Sequence, residues 1–276
     1  MTQQPTEESL ATGPELIESA HWRGLLTGDD PGLIRFRRMM RRLPHGPRCK
    51  ICASPFEGVG RVTTRLLNHG RALANPTMCS ACFKSLASHP GGTELEISVI
   101  FADIRGSTAI AETIGAVAFR DAIQVFYGLA ARAIEAPGGF VDKYLGDGVM
   151  ALFLPVLAGE GHADRALRAA TDLVTAVERS ALPASGIRVG AGVHAGTAFV
   201  GVLGSGEKLD FSALGDTVNV AARLGAIAGP GEVVASRDVW VAAGRDDAPG
   251  EARRVELTGR HEPLDVVVLQ PTALPA

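Results

Sequence analysis

Aromatic residues are scarce in this chain, with 2 Trp and 2 Tyr among 276 residues. That is too few for the stacked platform on which single-stranded nucleic acid is bound. An excess of one charge sign is missing as well. Lys and Arg number 27 against 30 Asp and Glu, a net charge of −3, so nothing draws the whole molecule to nucleic acid or to an anionic membrane. The longest apolar runs, such as 149–157, fall well short of the ~20 residues of a membrane span. The N-terminus is polar and lacks the basic-then-apolar pattern of a secretion signal. A soluble, cytoplasmic protein with no membrane partner is the expectation.

What is present suits a globular protein: 46% apolar and 21% charged residues, in a chain long enough for one good core plus a smaller module. Residues 1–13 read as a disordered tail and 272–276 as a second one. Residues 14–92 form an N-terminal module, helical to about Leu43 and then carrying Cys49-Lys-Ile-Cys52 and Cys79-Ser-Ala-Cys82. Leu33, Ile34, Met39, Met40 and Leu43 are its candidate apolar positions. Arg35, Arg37, Arg38, Arg41 and Arg42 read as a solvated face, with a docking surface for a partner or nucleic acid as the other reading.

The run His89-Pro-Gly-Gly-Thr93 marks the boundary to one α/β domain at 93–271. Strands are expected at 95–101, 140–145, 149–154, 187–194, 197–203, 208–214, 252–257 and 264–269. Helices are expected at 107–114, 118–136, 162–180 and 216–227, the last stopped by Gly229-Pro-Gly231. The opening order is a ferredoxin-like βαββαβ pattern with additions.

Three stretches carry the chemistry. Phe101-Ala-Asp-Ile-Arg-Gly-Ser-Thr108 ends an apolar run in Asp103 and then opens a helix through small residues. A carboxylate beside free helix amides suits a metal-bound phosphate, although Asp103 could simply cap the helix. Lys143-Tyr-Leu-Gly-Asp-Gly-Val149 sets Asp147 in a tight hairpin turn. In a ferredoxin-like sheet that hairpin neighbours the first strand, so the two carboxylates converge and can hold two hard cations. Gly215-Asp-Thr-Val-Asn-Val-Ala-Ala-Arg223 places Asn219 and Arg223 four apart, on one face of an otherwise apolar helix, with Asp216 as its expected N-cap. An Arg held there needs an anion, such as a phosphate gaining charge in a transition state.

These three stretches, in this order and spacing, resemble the catalytic domain of the class III nucleotidyl cyclases, in a version like an adenylate cyclase. The resemblance runs from about Thr93 onward. It implies conversion of ATP to 3′,5′-cyclic AMP and pyrophosphate by two-metal in-line attack. Asp103, with the Ile104 backbone, and Asp147 fall on the ligands of two Mg²⁺ or Mn²⁺. Lys143 falls on the purine-selecting lysine, and Asn219 and Arg223 on the catalytic pair that orients ribose and stabilises the transition state. Arg105, Gly106, Ser107 and Thr108 form the expected phosphate loop, with Arg260 a further candidate contact.

In the family these sets come from opposite subunits, so a homodimer with shared sites is implied. One position departs from the family's commonest pattern. Ser212 stands where many adenylate cyclases have Asp, with Asp210 a weaker stand-in. A hydroxyl both accepts and donates, which relaxes discrimination against guanine. A guanylate or dual-specificity cyclase is therefore the first alternative, and a non-catalytic nucleotide sensor with a zinc-bound partner module the second. Nucleic acid is not an expected partner.

The two C-x-x-C pairs supply four thiolates, Cys49, Cys52, Cys79 and Cys82, for tetrahedral Zn²⁺. An iron–sulfur cluster or redox-switching thiols are the alternatives, since the gap between the pairs exceeds that of a compact zinc ribbon. His45, His69 and His89 read as surface residues rather than ligands. A metal would fold a segment with too few apolar residues to build a core.

Overall fold

The apolar run ahead of Asp103 becomes the central strand of a mixed sheet in the computed structural model of this chain. The structure describes residues 20–27, 31–43, 48–58, 60–61, 64, 67–72, 78–88, 91–205, 208–260 and 262–271. The tails expected at 1–13 and 272–276 lie outside them, as do His45 and His89. The described elements run α1 (Ala20–Thr27), α2 (Pro31–Arg41), α3 (Ser80–Ser88), β1 (Gly92–Ile104), α4 (Ser107–Ile114), α5 (Ala116–Glu135), β2 (Phe140–Tyr144) and β3 (Gly148–Phe153). Then come α6 (Pro155–Ala158), α7 (His162–Glu178), β4 (Val189–Ser205), β5 (Lys208–Leu214), α8 (Asp216–Ile227), β6 (Val233–Ser236), α9 (Arg237–Ala242), β7 (Glu251–Val255) and β8 (Leu264–Leu269). No helix among the described residues is long and apolar enough to cross a membrane.

The strand order is β2-β3-β1-β4-β6-β8-β7, with β5 paired to β4. The first four strands and the helices between them are the expected ferredoxin-like unit, and β6, β8 and β7 extend it. β1 and β3 pair antiparallel, whereas β4 and β6 pair parallel. Successive strand residues point to opposite faces, and the burial follows that rule. Val233 and Val267 join one apolar cluster, with Phe126 and Ile134 of α5 and Leu173 and Val177 of α7. Val234, Val266 and Val268 join the other, beneath Val220 and Leu224 of α8. The sheet is therefore covered by α5 and α7 on one face and by α8 on the other.

Several elements differ from the expectation. The strands expected at 187–194 and 197–203 are one strand, β4, of 17 residues. Gly196 makes no turn there. A Cβ at that position would lie 3.0 Å from Thr217 Oγ1, so the glycine serves close packing rather than chain reversal. β6 and α9 were not anticipated, because a four-residue strand running straight into a helix leaves no periodicity to read. Ser236 caps α9 by accepting from the Val239 N–H. Asp216 is the first residue of α8 rather than its cap, which is Gly215, and it pairs with Arg260 at 3.6 Å.

The chain divides into two compact units, Met1–Glu94 with Phe199–Ser212, and Leu95–Ala198 with Ala213–Ala276. Within the first, Trp22 of α1 stacks on Phe211 of β5, with ring centroids 6.4 Å apart. The Val202 N–H donates to Gly91 O at 2.8 Å. On α2, Met40 is buried and Met39 exposed. Arg37 is not part of a solvated face: it is buried and donates to Lys50 O and Ile51 O. Burial lowers its pKa to about 10.

In the second unit α8 lies almost backbone to backbone on the sheet. A Cβ at Gly192 of β4 would lie 2.0 Å from Gly225 N and 2.7 Å from Ala221 O, and one at Gly225 would lie 3.0 Å from Phe101 O. Gly192→Ala must push α8 off the sheet. A loss of roughly 1–3 kcal/mol is expected in urea denaturation, whereas Gly128→Ala, with only the Arg132 side chain nearby, should leave the midpoint unchanged or raised.

Candidate functional site

β1 delivers Asp103 to its end opposite Gly148, the first residue of β3. Gly148 is needed there, because a Cβ would crowd both Ala102 O and Asp103 Cβ at 3.2 Å. The preceding Gly146-Asp147 turn is closed by Leu145 N–H donating to Gly148 O at 2.8 Å, with Gly146 at φ 75°. Asp147 O in turn accepts from the Ile104 N–H at 3.0 Å. The two aspartates expected to converge are thus joined through neighbouring backbone at one end of the β1–β3 pair. Asp103 Oδ1 is buried and lies against the Arg105 guanidinium, a pairing that an incoming cation would have to displace. Two carboxylates and an adjacent backbone carbonyl are hard oxygen donors, and they fit Mg²⁺ or Mn²⁺.

Tyr127 of α5 holds this turn from outside, donating from its hydroxyl to Gly146 O while its ring lies 4.1 Å from that of Tyr144. Burial and the Asp147 charge push its pKa up, so it stays a neutral donor. Sequence reasoning missed Tyr127; its one signal was the scarcity of Tyr, both of which are spent on this hairpin. It also missed Asp142, a buried carboxylate at the β-bulge between Val141 and Lys143. Asp142 Oδ2 lies 3.5 Å from the Lys143 ammonium, which is itself partly exposed.

Gly106 caps α4 in the left-handed conformation, and the amides of Ser107 and Thr108 are the first of that helix. Such amides have no intrahelical acceptor. Arg105 does not extend into that loop. Its guanidinium pairs with Asp103 and donates to Ala226 O and Ala228 O at 2.9 and 3.2 Å. Burial lowers its pKa, against the opposing pull of Asp147.

On α8 Asn219 is exposed and Arg223 half-buried, while Val220, Ala221 and Leu224 face the core. Arg223 lies along the turn before β8, where a Cβ at Gly259 would be 3.3 Å from Arg223 Nη2. Among the described residues Arg223 makes no ion pair, so its guanidinium is open to an external anion. Nearby, His194 is buried against Ser236 Oγ at 2.7 Å and held neutral by that burial.

Ser212 and the cysteines belong to the first unit. Ser212 is fully buried, and its neighbour Phe211 lies under Trp22. Asp210 is turned back on its own strand, accepting from the Phe211 N–H at 2.9 Å.

The four cysteine sulfurs lie within 4.8 Å of one another, and Cys52 and Cys79 are 3.6 Å apart. A tetrahedral site with Zn–S near 2.3 Å needs sulfurs about 3.8 Å apart, so the cluster is preshaped for a cation. The first pair forms a tight knuckle, with Ala53 N–H donating to Cys49 O and Cys49 N–H to Ser54 O, both at 3.0 Å. Ala53 takes φ 60° to close it. Backbone amides of Cys79 and Cys82 point at Cys49 Sγ and Cys79 Sγ, at 3.3 and 3.4 Å.

Hydrogen bonds from the other three thiols push Cys52 down, while Cys82 is pushed up by its own bonds to them. All four can be thiolates together only around a cation. His69 was read as a surface residue, yet its Nδ1 lies 3.2 Å from Cys79 Sγ and 3.7 Å from Cys52 Sγ. It borders the sulfur cage and lies against the Phe36 ring of α2.

Residues 92–268 match the family model described as the adenylate and guanylate cyclase catalytic domain. An adenylate cyclase of Anabaena cylindrica is 34% identical over 139 residues, 46% of this chain and 26% of that protein. Adenylate cyclase 1 of Rhizobium meliloti is 35% identical over 134 residues, 47% of this chain and 20% of that protein. The matched segment is thus only 20–26% of these relatives' length. Among solved structures, the adenylyl cyclase CyaB from P. aeruginosa superposes with TM-score 0.58 at 25% identity, covering 64% of this chain and 95% of that one. The guanylyl cyclase Cya2 superposes with TM-score 0.60 at 24% identity, covering 64% and 93%, and shares the fold.

Proposed function

The chain belongs to the adenylate and guanylate cyclase catalytic-domain family, and from that membership we propose that it converts ATP to 3′,5′-cyclic AMP and pyrophosphate at sites shared by two copies of the chain. The observation that carries this reading is the pairing of Asp103 with Gly148, which sets the Asp147 turn beside the buried Asp103 carboxylate. In the reaction the ribose 3′-oxygen bonds to the α-phosphorus, the bond from that phosphorus to the bridging oxygen breaks, pyrophosphate leaves and the 3′-hydroxyl proton is released. Asp103, Asp147 and the Ile104 carbonyl would hold Mg²⁺ or Mn²⁺, which would activate the attacking oxygen and neutralise the leaving one.

The chain's own groups do the rest. The Gly106, Ser107 and Thr108 backbone binds phosphate oxygens at the start of α4. Asn219 orients the ribose, and Arg223, which has no carboxylate partner among the described residues, meets the charge that grows on the phosphate. Lys143 donates to adenine N1, an atom that in guanine carries a proton and cannot accept. Ser212 is fully buried, so the reading of the base does not rest on it. Support for adenine comes from Lys143 and from the named relatives rather than from Ser212.

Purified protein with Mn²⁺ and ATP is expected to release cyclic AMP, and with GTP markedly less product. Asp103→Ala and Asp147→Ala should each abolish turnover with the fold intact by circular dichroism. Cyclic GMP as the main product would reject the adenylate assignment, and near-normal turnover in either variant the metal assignment.

Asn219 and Arg223 are proposed to serve the metal carboxylates of a partner copy. Asp103→Ala and Arg223→Ala, coexpressed with two tags and isolated as heterodimers, then hold one intact site of two. About half of wild-type activity per dimer should return. Heterodimers no more active than either parent would show that the sites are not shared.

The four thiolates are proposed to hold one Zn²⁺, with Arg37 as a buried positive charge behind them. Zinc should co-purify at about one ion per chain and be lost from Cys49→Ser and Cys82→Ser. Iron in a coloured protein, or a metal-free protein with unchanged melting temperature, would contradict this.

A further inference from the structure

Arg105 leaves β1 between the Asp103 carboxylate and helix α4, its N–H anchored on Arg188 O at 2.9 Å. Its side chain does not wait in solvent for a phosphate. Nη1 donates to Ala226 O and Ala228 O, at the C-terminal end of α8, and Nη2 pairs with Asp103 Oδ1. Both attachments have clear physical causes. The last carbonyls of a helix have no intrahelical donor, and the helix dipole favours a cation there. The second arm neutralises a buried carboxylate oxygen that accepts no hydrogen bond from any other group among the described residues. One guanidinium thus ties the carboxylate on β1 to the far end of the helix that carries Asn219 and Arg223.

We propose that Arg105 is the resident cation of Asp103, a positioning residue that competes with the divalent ion for that carboxylate and stays fixed to α8 when the ion arrives. This rests on the reading of Asp103 as a metal ligand. The carbonyl anchor is what makes the competition persist. A guanidinium free to swing away would leave the ion unopposed, but one held on Ala226 and Ala228 remains beside it as a like charge. Ion binding to the empty protein is therefore weak. An anion that accepts from the freed Nη2, such as the triphosphate of ATP, relieves the repulsion. Ion and triphosphate then tighten each other's binding, and the site is held unloaded until both are present.

The test is titration of the full chain with Mn²⁺ alone, bound ion being measured by calorimetry and by the electron-spin signal of free Mn²⁺. Arg105→Met removes the competing charge and should bind Mn²⁺ about tenfold more tightly, while melting at a lower temperature in the absence of ion. Arg105→Gln keeps an N–H donor for the α8 carbonyls without the charge, and should show the same tightening even if Arg105→Met folds poorly. Arg105→Lys keeps the charge but not the forked anchor on the α8 carbonyls, and should fall between wild type and Arg105→Met. Unchanged or weaker Mn²⁺ binding in folded Arg105→Met and Arg105→Gln overturns the proposal. Asp103→Asn separates the two levels. If it abolishes Mn²⁺ binding while the Arg105 variants match wild type, Asp103 is a metal ligand and only the role of Arg105 fails. If Asp103→Asn binds Mn²⁺ as wild type does, the metal reading and this proposal fall together.

Discussion

Asp103 faces Gly148 across the antiparallel pairing of β1 with β3, and the placement of Asp103 beside the Asp147 turn depends on that register. Side chains alternate along a strand, so a slip of one residue would turn Asp103 and the apolar residues beside it to the opposite face. Two features oppose such a slip. Ile100, Ala102, Val149, Ala151 and Phe153 are buried in one cluster under α5 and α7, and each would lose its place. Gly148 lets the hairpin approach Asp103 more closely than a side chain would allow. Tyr127 then fixes the turn from the helix above. Acidic residues meet here because apolar packing elsewhere leaves them no other position.

The same logic seats α8 on the other face of the sheet. α8 rests on β4 and β1 through Gly192 and Gly225 at distances where any side chain would collide. Its apolar stripe, Val220 and Leu224, fills the second cluster with Val234, Val266 and Val268. Once that face is buried, Asn219 and Arg223 have to point away from the sheet, a consequence of the 3.6-residue period. Neither residue is held by a carboxylate among the described residues, whereas Arg105 and Arg260 are both engaged. Three arginines on similar loops and helices differ in what they can do because their neighbours differ.

The N-terminal module solves a different problem. It joins a ring of thiols, backbone amides and the buried Arg37 to a small set of buried apolar residues, among them Trp22, Leu26, Met40 and Met78. Arg48 adds to this by donating to Met40 O, Leu43 O and Ala53 O, at 2.8, 2.7 and 3.1 Å. These bonds tie α2 to the first cysteine knuckle. In the same unit α1 covers Phe211, next to Ser212.

Much of this was legible in the chain itself. The Asp103 and Asp147 stretches, the α8 stripe and the two cysteine pairs are local patterns, and local patterns survive being read without a structure. Helices α4 and α8 fall where their periodicity put them, and the βαββαβ order follows from the alternation of elements. Non-local contacts left no such trace. That β4 runs straight through Gly196, that Arg105 ends on α8 carbonyls, that Arg37 is buried among backbone acceptors and that His69 sits against the sulfurs all depend on chain segments far apart in sequence. A glycine reads the same whether it makes a turn or a close contact, and an arginine the same whether it is solvated or capping a distant helix. Residue type and spacing determined which chemistry this protein carries. Tertiary packing alone decided which of its charged groups are already spent and which remain open, because partners brought together only by folding set the charge and hydrogen bonding of each.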